Sequence, residues 1–379
     1  MSTDASHLPH TVSELHHGIE RGLHLGAQLY VSIAGDVAAD VAVGASRADG
    51  TPLTTDTLNL WMSSVKPLAA VAVAQLVERG KLSYDDRVAQ HVPEFAVNGK
   101  DAITVRHLLT HTGGFRQWPA KLELDDRWDT IIQQICATRL EHDWTPGEKA
   151  GYHPRTSWFI LGELARRLDD HHRGFDRYAR EEIFLPLGMN DCWVGGMPPE
   201  DYAAYGARIG ATFEDILEDP PEEHDPMEGV PDERKVASVH PGASGRGPVR
   251  ELGRFYEMLM RGGERDGSRV LRAESISELT RPQRVGMYDH TFKHAMDWGL
   301  GFIVNLQDEK GRATMPYGYG AHASSRTFGH SGAESSCAFC DPEHELVVAW
   351  VCNGMPGDEQ HQERQRAINT AIYEDLEIS

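Results

Sequence analysis

Strand-like segments crowd the two ends of this 379-residue chain and leave a long helical middle between them. Near the start, Ala27 to Ala34 and Val37 to Ala45 read as two strands around a turn at Gly35-Asp36. From Trp298 the pattern returns, with strand-like runs at Trp298 to Leu306, Thr327 to His330, Ser335 to Cys340 and Leu346 to Val351. Helical periodicity dominates from Leu82 to Thr280, most clearly in Ser157 to Leu168 and Val249 to Met260. An amphipathic helix carrying Leu8, Val12, Leu15, Ile19 and Leu23 opens the chain, and Gln360 to Leu376 reads as a closing helix. Strands separated by so much helix must meet in one layer to bury their apolar faces. The expected class is therefore α+β: an antiparallel sheet built from both ends, flanked by helices, with an all-helical lobe inserted. The expected division within this single domain is an α/β lobe of residues 1–80 and 281–379 and a helical lobe of residues 81–280. No internal repeat is evident.

Composition narrows the function. Hydrophobic residues at 40% and charged residues at 25% describe a soluble globular protein. A formal net charge of -21 argues against non-specific binding to nucleic acid or anionic membranes. Met1 to His10 has neither a basic nor an apolar signal region, and no apolar run approaches the ~20 residues of a membrane span. Five scattered cysteines suit reduced thiols, so the expected location is cytoplasmic. Cys337 and Cys340 lie three apart in a strand-like run, which turns them to opposite faces and disfavours a shared metal or redox role. The segment Glu214 to Glu233 holds ten acids and no Lys or Arg, with prolines at 220, 221, 226 and 231. It reads as a solvated loop, with a lid or a cleft for a cation as the functional alternative.

The chemistry centres on Ser63-Ser64-Val65-Lys66. A serine hydroxyl is a weak nucleophile until a neighbouring base takes its proton, and a lysine three residues on shares its helix face. Lysine serves as that base when burial or another cation lowers its pKa. Pro67 is tolerated only in a first helical turn, so the helix begins near Ser63, with the hydroxyl at the positive end of the dipole. Tyr152, in the loop Pro146 to Pro154 before a predicted helix, can shuttle a proton if nearby ammonium charge favours the phenolate. In Gly329-His330-Ser331-Gly332-Ala333, small residues let the backbone approach a ligand, and the Ala333 and Ser63 amides can share an oxyanion.

Competing patterns are weaker. An α/β-hydrolase elbow around Ser331 lacks the final glycine of its motif. His107 and His111 have a zinc-like spacing but no H-E-x-x-H and no evident third ligand. No phosphate-binding or dinucleotide loop is present, so neither a metal nor a cofactor is expected. Trp61, Trp118, Trp158, Trp298 and Trp350 are candidates for lining a pocket. Trp118, in a loop after Gly113-Gly114, is the foremost of these.

Ser63 and Lys66, then Tyr152, then His330-Ser331-Gly332 follow the motif order of the serine β-lactamase and penicillin-binding-protein superfamily, and the chain resembles its class C-like branch. That branch includes family VIII carboxylesterases, D-aminopeptidases, a DD-peptidase and lovastatin-type acyltransferases. The resemblance extends to Val105 to Gly114, Leu76 to Val92, Phe184 to Met189 and Ala338 to Asn353, about 300 residues in all. It implies an acyl-enzyme on Ser63, proton transfer by Lys66 and Tyr152, an oxyanion hole from the Ser63 and Ala333 amides, and substrate contacts from His330, Ser331, Gly332, His153 and Trp118. Three departures bear on the substrate. Pro154 stands where β-lactamases and peptidases carry an asparagine, His330 replaces a lysine, and no export signal is seen. The expected function is hydrolysis of a small-molecule carboxylic ester, with transfer of the acyl group to an alcohol or amine as the alternative. Peptidase or β-lactamase activity ranks below both, and a non-catalytic binding protein last. No nucleic-acid or membrane partner is expected, and the oligomeric state is not legible.

Overall fold

A computed structural model describes residues 7–221, 225, 227–305 and 318–379. Residues 1–6, Leu306, and residues 222–224 and 226 of the acidic segment lie outside the described residues, and with them the parts of the readings above that concern them. The chain opens with α1 (Pro9–Glu20), followed by β1 (Gly26–Ile33) and β2 (Asp36–Gly44). Next come α2 (Lys66–Glu78), α3 (Thr156–Leu168) and α4 (Val249–Met260). The closing third supplies β3 (Asp297–Trp298), β4 (Ile303–Val304), β5 (Phe328–Gly332), β6 (Ser336–Asp341), β7 (Leu346–Cys352) and α5 (Asp358–Asp375).

Among the described residues these seven strands form one sheet in the order β3-β4-β5-β6-β7-β1-β2. Every neighbouring pair is antiparallel. The two ends of the chain meet where β1 pairs with β7, from Ala27 opposite Cys352 to Ile33 opposite Leu346. The β1–β2 turn is Ala34-Gly35, one residue earlier than expected. Both have positive φ, +50° and +90°, as a tight hairpin with right-handed strand twist requires. The expected strand from Trp298 is broken at Gly299 to Gly301 into the hairpin β3–β4, because Gly301 takes φ +84°.

Helices cover both faces. α1 and α5 pack together on one, tied by Thr11, whose Oγ1 donates to Asp375 Oδ2 at 2.8 Å. α2 and α4 line the other, where Leu252, Phe255 and Tyr256 join Tyr30, Ala338 and Ala349 in one apolar cluster. The stretch 81–280 is thus not uniformly a helical lobe. α4 packs on β1, β6 and β7, since its apolar stripe finds its widest partner there. Nor is that stretch free of strands, because Gly245–Gly247 pairs with Asn59–Leu60 on one side and with Trp193–Val194 on the other in a separate three-stranded sheet. Cys337 and Cys340 face different apolar clusters, as strand alternation requires, and all five cysteines are free and buried. No helix among the described residues is long and apolar enough to cross a membrane.

The seat of α4 on the sheet depends on Gly253. A Cβ there would overlap the Tyr30 ring, whose hydroxyl donates to the buried Glu257 Oε1 at 2.6 Å. Helix propensity favours alanine over glycine by about 1 kcal/mol. Overpacking costs about 1–3 kcal/mol, so packing is expected to win. Gly253→Ala should lower the urea midpoint, and Gly253→Val should lower it further.

Candidate active site

Ser63 is presented by a junction between two kinds of backbone. The short strand Asn59–Leu60 enters beside Gly245–Gly247, and Trp61 N–H donates to Gly245 O at 2.7 Å. Met62 then takes φ +47°, a left-handed conformation unusual for a side chain with a Cβ. A 3-10 turn, Met62–Val65, carries Ser63 and hands over to α2 at Lys66, with Pro67 in the first turn. The helical coil therefore starts near Ser63 as expected, but the α-helix proper starts one turn later.

Lys66 is fully buried, and its Nζ donates to Ser63 Oγ and to Gly242 O, each at 2.7 Å. Its other near neighbours are aromatic faces, Tyr152 at 5.2 Å and Trp158 at 5.4 Å from the ring centroids. No carboxylate among the described residues pairs with it. Burial holds the Lys66 pKa well below the ordinary lysine value, and the Arg155 charge pushes the same way. A neutral amine in that position can accept the Ser63 proton.

Tyr152 closes the site from the other side, its hydroxyl donating to Ser63 Oγ at 2.9 Å. The ring is wedged among His111, Phe292, Trp298 and His330, with centroids 4.7, 4.8, 5.9 and 6.1 Å away. Its backbone N–H donates to Asp289 Oδ1 at 3.0 Å, and Asp289 Oδ2 pairs with Arg284 at 2.9 Å, both residues buried. Arg284 in turn donates to Thr110 O at 3.0 Å. Burial raises the phenol pKa, against the pull of the Ser63 contact and with a further rise from Asp289. Burial thus works against the phenolate, which the sequence made conditional on a nearby ammonium charge. Burial also opposes the ammonium form of Lys66, and the Tyr152 hydroxyl donates to Ser63 Oγ.

The third stretch lies in β5, against the 3-10 turn. Ser64 Oγ donates to His330 O at 3.2 Å, and Ser336 Oγ donates to Trp61 O at 2.7 Å. A Cβ at Gly332 would lie 2.6 Å from Trp61 O and 2.8 Å from Met62 Cβ, so glycine permits this approach. Ala333 follows, exposed at the end of β5. The Ser63 and Ala333 amides donate to no protein acceptor among the described residues. His330 is buried beside Tyr152, with Nδ1 bonded to Ser331 O at 2.7 Å and Nε2 without a partner among the described residues. Burial, helped by Lys66, pushes its pKa down to about 3, so the ring is neutral. Ser331 turns instead to Cys337, Oγ to Sγ at 3.7 Å.

Two of the expected substrate contacts need separate treatment. His153 is fully buried and does not line the cleft. Its N–H donates to His111 Nδ1 at 3.0 Å, its Nδ1 pairs with Ser157, and its ring packs on Phe115. It braces the tyrosine loop, because the residue after Tyr152 points into the wall. Trp118 is half-buried, with its indole N–H donating to Leu122 O at 2.8 Å and its ring packed on Phe159. Trp61, Trp158, Trp298 and Trp350 are wholly buried, of which Trp158 and Trp298 back the catalytic candidates. His107 Nδ1 accepts from Thr104 N–H, and no cluster of three potential metal ligands occurs among the described residues. Ser331 sits in an antiparallel hairpin rather than a strand-to-helix elbow, which removes the α/β-hydrolase reading.

Sequence reasoning missed Gly242, Arg155, His111 and the Arg284–Asp289 pair. Gly242 lies in a run rich in glycine and serine and Arg155 follows the tyrosine motif directly, so both left a faint signal. Asp289 left none.

The family model described as Beta-lactamase matches residues 14–372, and the chain belongs to that family. It is 26% identical over 355 residues to the esterase/beta-lactamase LipL of Mycobacterium tuberculosis (strain ATCC 25618 / H37Rv), covering 86% of this chain and 77% of the relative. A family VIII carboxylesterase structure superposes with TM-score 0.80 at 28% identity, over 99% of each chain. A penicillin-binding-protein homologue from Caulobacter crescentus gives TM-score 0.80 at 27% identity, again over 99% of each.

The Arg284–Asp289 pair carries the tyrosine loop. Asp289→Ala leaves a buried guanidinium unpaired and frees the Tyr152 amide, and should cost about 3–5 kcal/mol of unfolding free energy. Chemical denaturation of the variant measures this.

Proposed function

We propose that this member of the Beta-lactamase family is a serine esterase acting on small-molecule carboxylic esters through an acyl-Ser63 intermediate. The observation that carries the reading is Ser63 Oγ held between a buried, carboxylate-free Lys66 amine at 2.7 Å and the Tyr152 phenol at 2.9 Å. In the forward step neutral Lys66 takes the hydroxyl proton as Oγ bonds to the ester carbonyl carbon. The carbonyl oxygen becomes an oxyanion facing the Ser63 and Ala333 amides. Collapse breaks the bond to the alkoxide, which receives the Tyr152 proton, and Tyr152 is restored from the Lys66 ammonium. Water then attacks acyl-Ser63 with the same groups acting in reverse, releasing the acid and regenerating Oγ–H.

The choice of ester rests on the departures noted above. Pro154 is exposed beside the site and offers no side-chain amide for an acylamide. Neutral His330 stands where a lysine would meet a β-lactam carboxylate. A similar structure described as a family VIII carboxylesterase supports the same choice.

Ser63→Ala should stay folded and lose nearly all turnover of p-nitrophenyl butyrate, and unchanged turnover would sink the proposal. Tyr152→Phe should lose about 10²–10⁴-fold in kcat, the worth of a positioned proton donor. The pH dependence of kcat/KM reads Lys66. Protonation removes the base, so the rate is full above the amine's folded pKa and lost as pH falls through it. That midpoint should lie well below the ordinary lysine range of about 10.4. Product analysis with added alcohols and amines separates hydrolysis from acyl transfer, and rapid nitrocefin turnover would overturn the argument from Pro154 and His330.

A further inference from the structure

Arg155 stands three residues beyond Tyr152, exposed, in the turn that starts α3. Its guanidinium lies over the Trp118 ring, 5.6 Å from the centroid. That ring is itself fixed by its bond to Leu122 O and by Phe159 beneath it. Arg155 is also close enough to act electrostatically on two further groups, Lys66 and His240. His240 lies two residues from Gly242, whose carbonyl holds Lys66. The arginine thus touches Trp118 and lies within electrostatic reach of His240 and of Lys66, which holds Ser63.

Its charge is unmatched. The chain has 58 acidic against 37 basic side chains, and most arginines have found an acid. Arg116 pairs with Glu141, Arg166 and Arg167 with Glu163, and Arg173 with Asp169. Arg155 has no carboxylate within ion-pair distance among the described residues. The basic groups nearest Ser63 and Tyr152, namely Lys66, His111 and His330, are held toward their neutral forms by burial. A permanently charged, planar donor resting on an aromatic face leaves its N–H edge free, the arrangement suited to grip a carboxylate in two places.

We propose that Arg155 is a carboxylate-binding residue of this site, and that the preferred ester carries a carboxylate on the part of the molecule lying along the Trp118 wall. The substrate class is then an ester of a dicarboxylic acid or of a carboxylated alcohol. This rests on the esterase reading and adds its specificity.

The test compares p-nitrophenyl butyrate, neutral, with p-nitrophenyl hydrogen glutarate and 4-carboxyphenyl butyrate, which place the carboxylate on the acyl and alcohol sides. For each ester kcat/KM is measured in the unmodified protein, Arg155→Met and Arg155→Lys. A hydrogen-bonded charge pair lost on Arg155→Met should reduce kcat/KM for one anionic ester by at least about tenfold more than for the neutral ester. The ester affected identifies the side. Arg155→Lys should fall between, because a point charge replaces a fork. Loss of the cation also eases protonation of Lys66, but that effect is common to all three esters and cancels in the comparison. Equal losses on all three would overturn the proposal. Calorimetric binding of glutarate and 4-hydroxybenzoate to Ser63→Ala, with and without Arg155→Met, needs no turnover. Arg155-dependent binding without esterase activity would keep the anion site and reject the esterase reading. Binding of neither acid through Arg155 would reject the anion site.

Discussion

The desolvation of Lys66 is the constraint on which the site depends. An ammonium group with no carboxylate, enclosed by Trp158, Tyr152 and a carbonyl, would cost several kcal/mol to keep charged. Burial therefore favours the unprotonated amine, the form able to act as a base at the Ser63 hydroxyl it touches. The fold supplies the enclosure. α2 is buried from Lys66 to Leu76, so the amine at its start is enclosed with the apolar interior and touches Ser63 Oγ. An acid placed beside Lys66 would stabilise the protein's charge and remove its chemistry.

Around that amine, other groups are kept neutral by the same means. Tyr152, His111, His153 and His330 crowd one another in a dry cluster, where burial opposes the charged form of each. The charges that remain are placed at the edges. Arg284 and Asp289 neutralise each other beneath the tyrosine loop, and Arg155 lies at the exposed rim over Trp118.

Much of the fold was legible. Short strand-like runs marked β5, β6 and β7, and the turn chemistry at Gly35 located the β1–β2 hairpin within a residue. What failed were decisions that periodicity does not encode. α4 reads as helix equally well in either lobe, and only the apolar face of β1, β6 and β7 assigns it. The run from Trp298 reads as one strand because apolar residues continue through Gly299 to Gly301, where the φ of Gly301 folds it back.

For the site, residue chemistry and spacing singled out Ser63, Lys66 and Tyr152, because a nucleophile needs a base within one helical turn and a proton donor within reach. His153 looked equally eligible beside Tyr152, yet consecutive side chains point apart, and it is sealed in the wall. The sequence by itself determined the class, α+β, and which side chains were chemically able to react. Only the tertiary structure decided their protonation states and directions. Those depend on what surrounds each group in three dimensions, as when Gly242, 176 positions along the chain from Lys66, supplies the carbonyl that holds its amine.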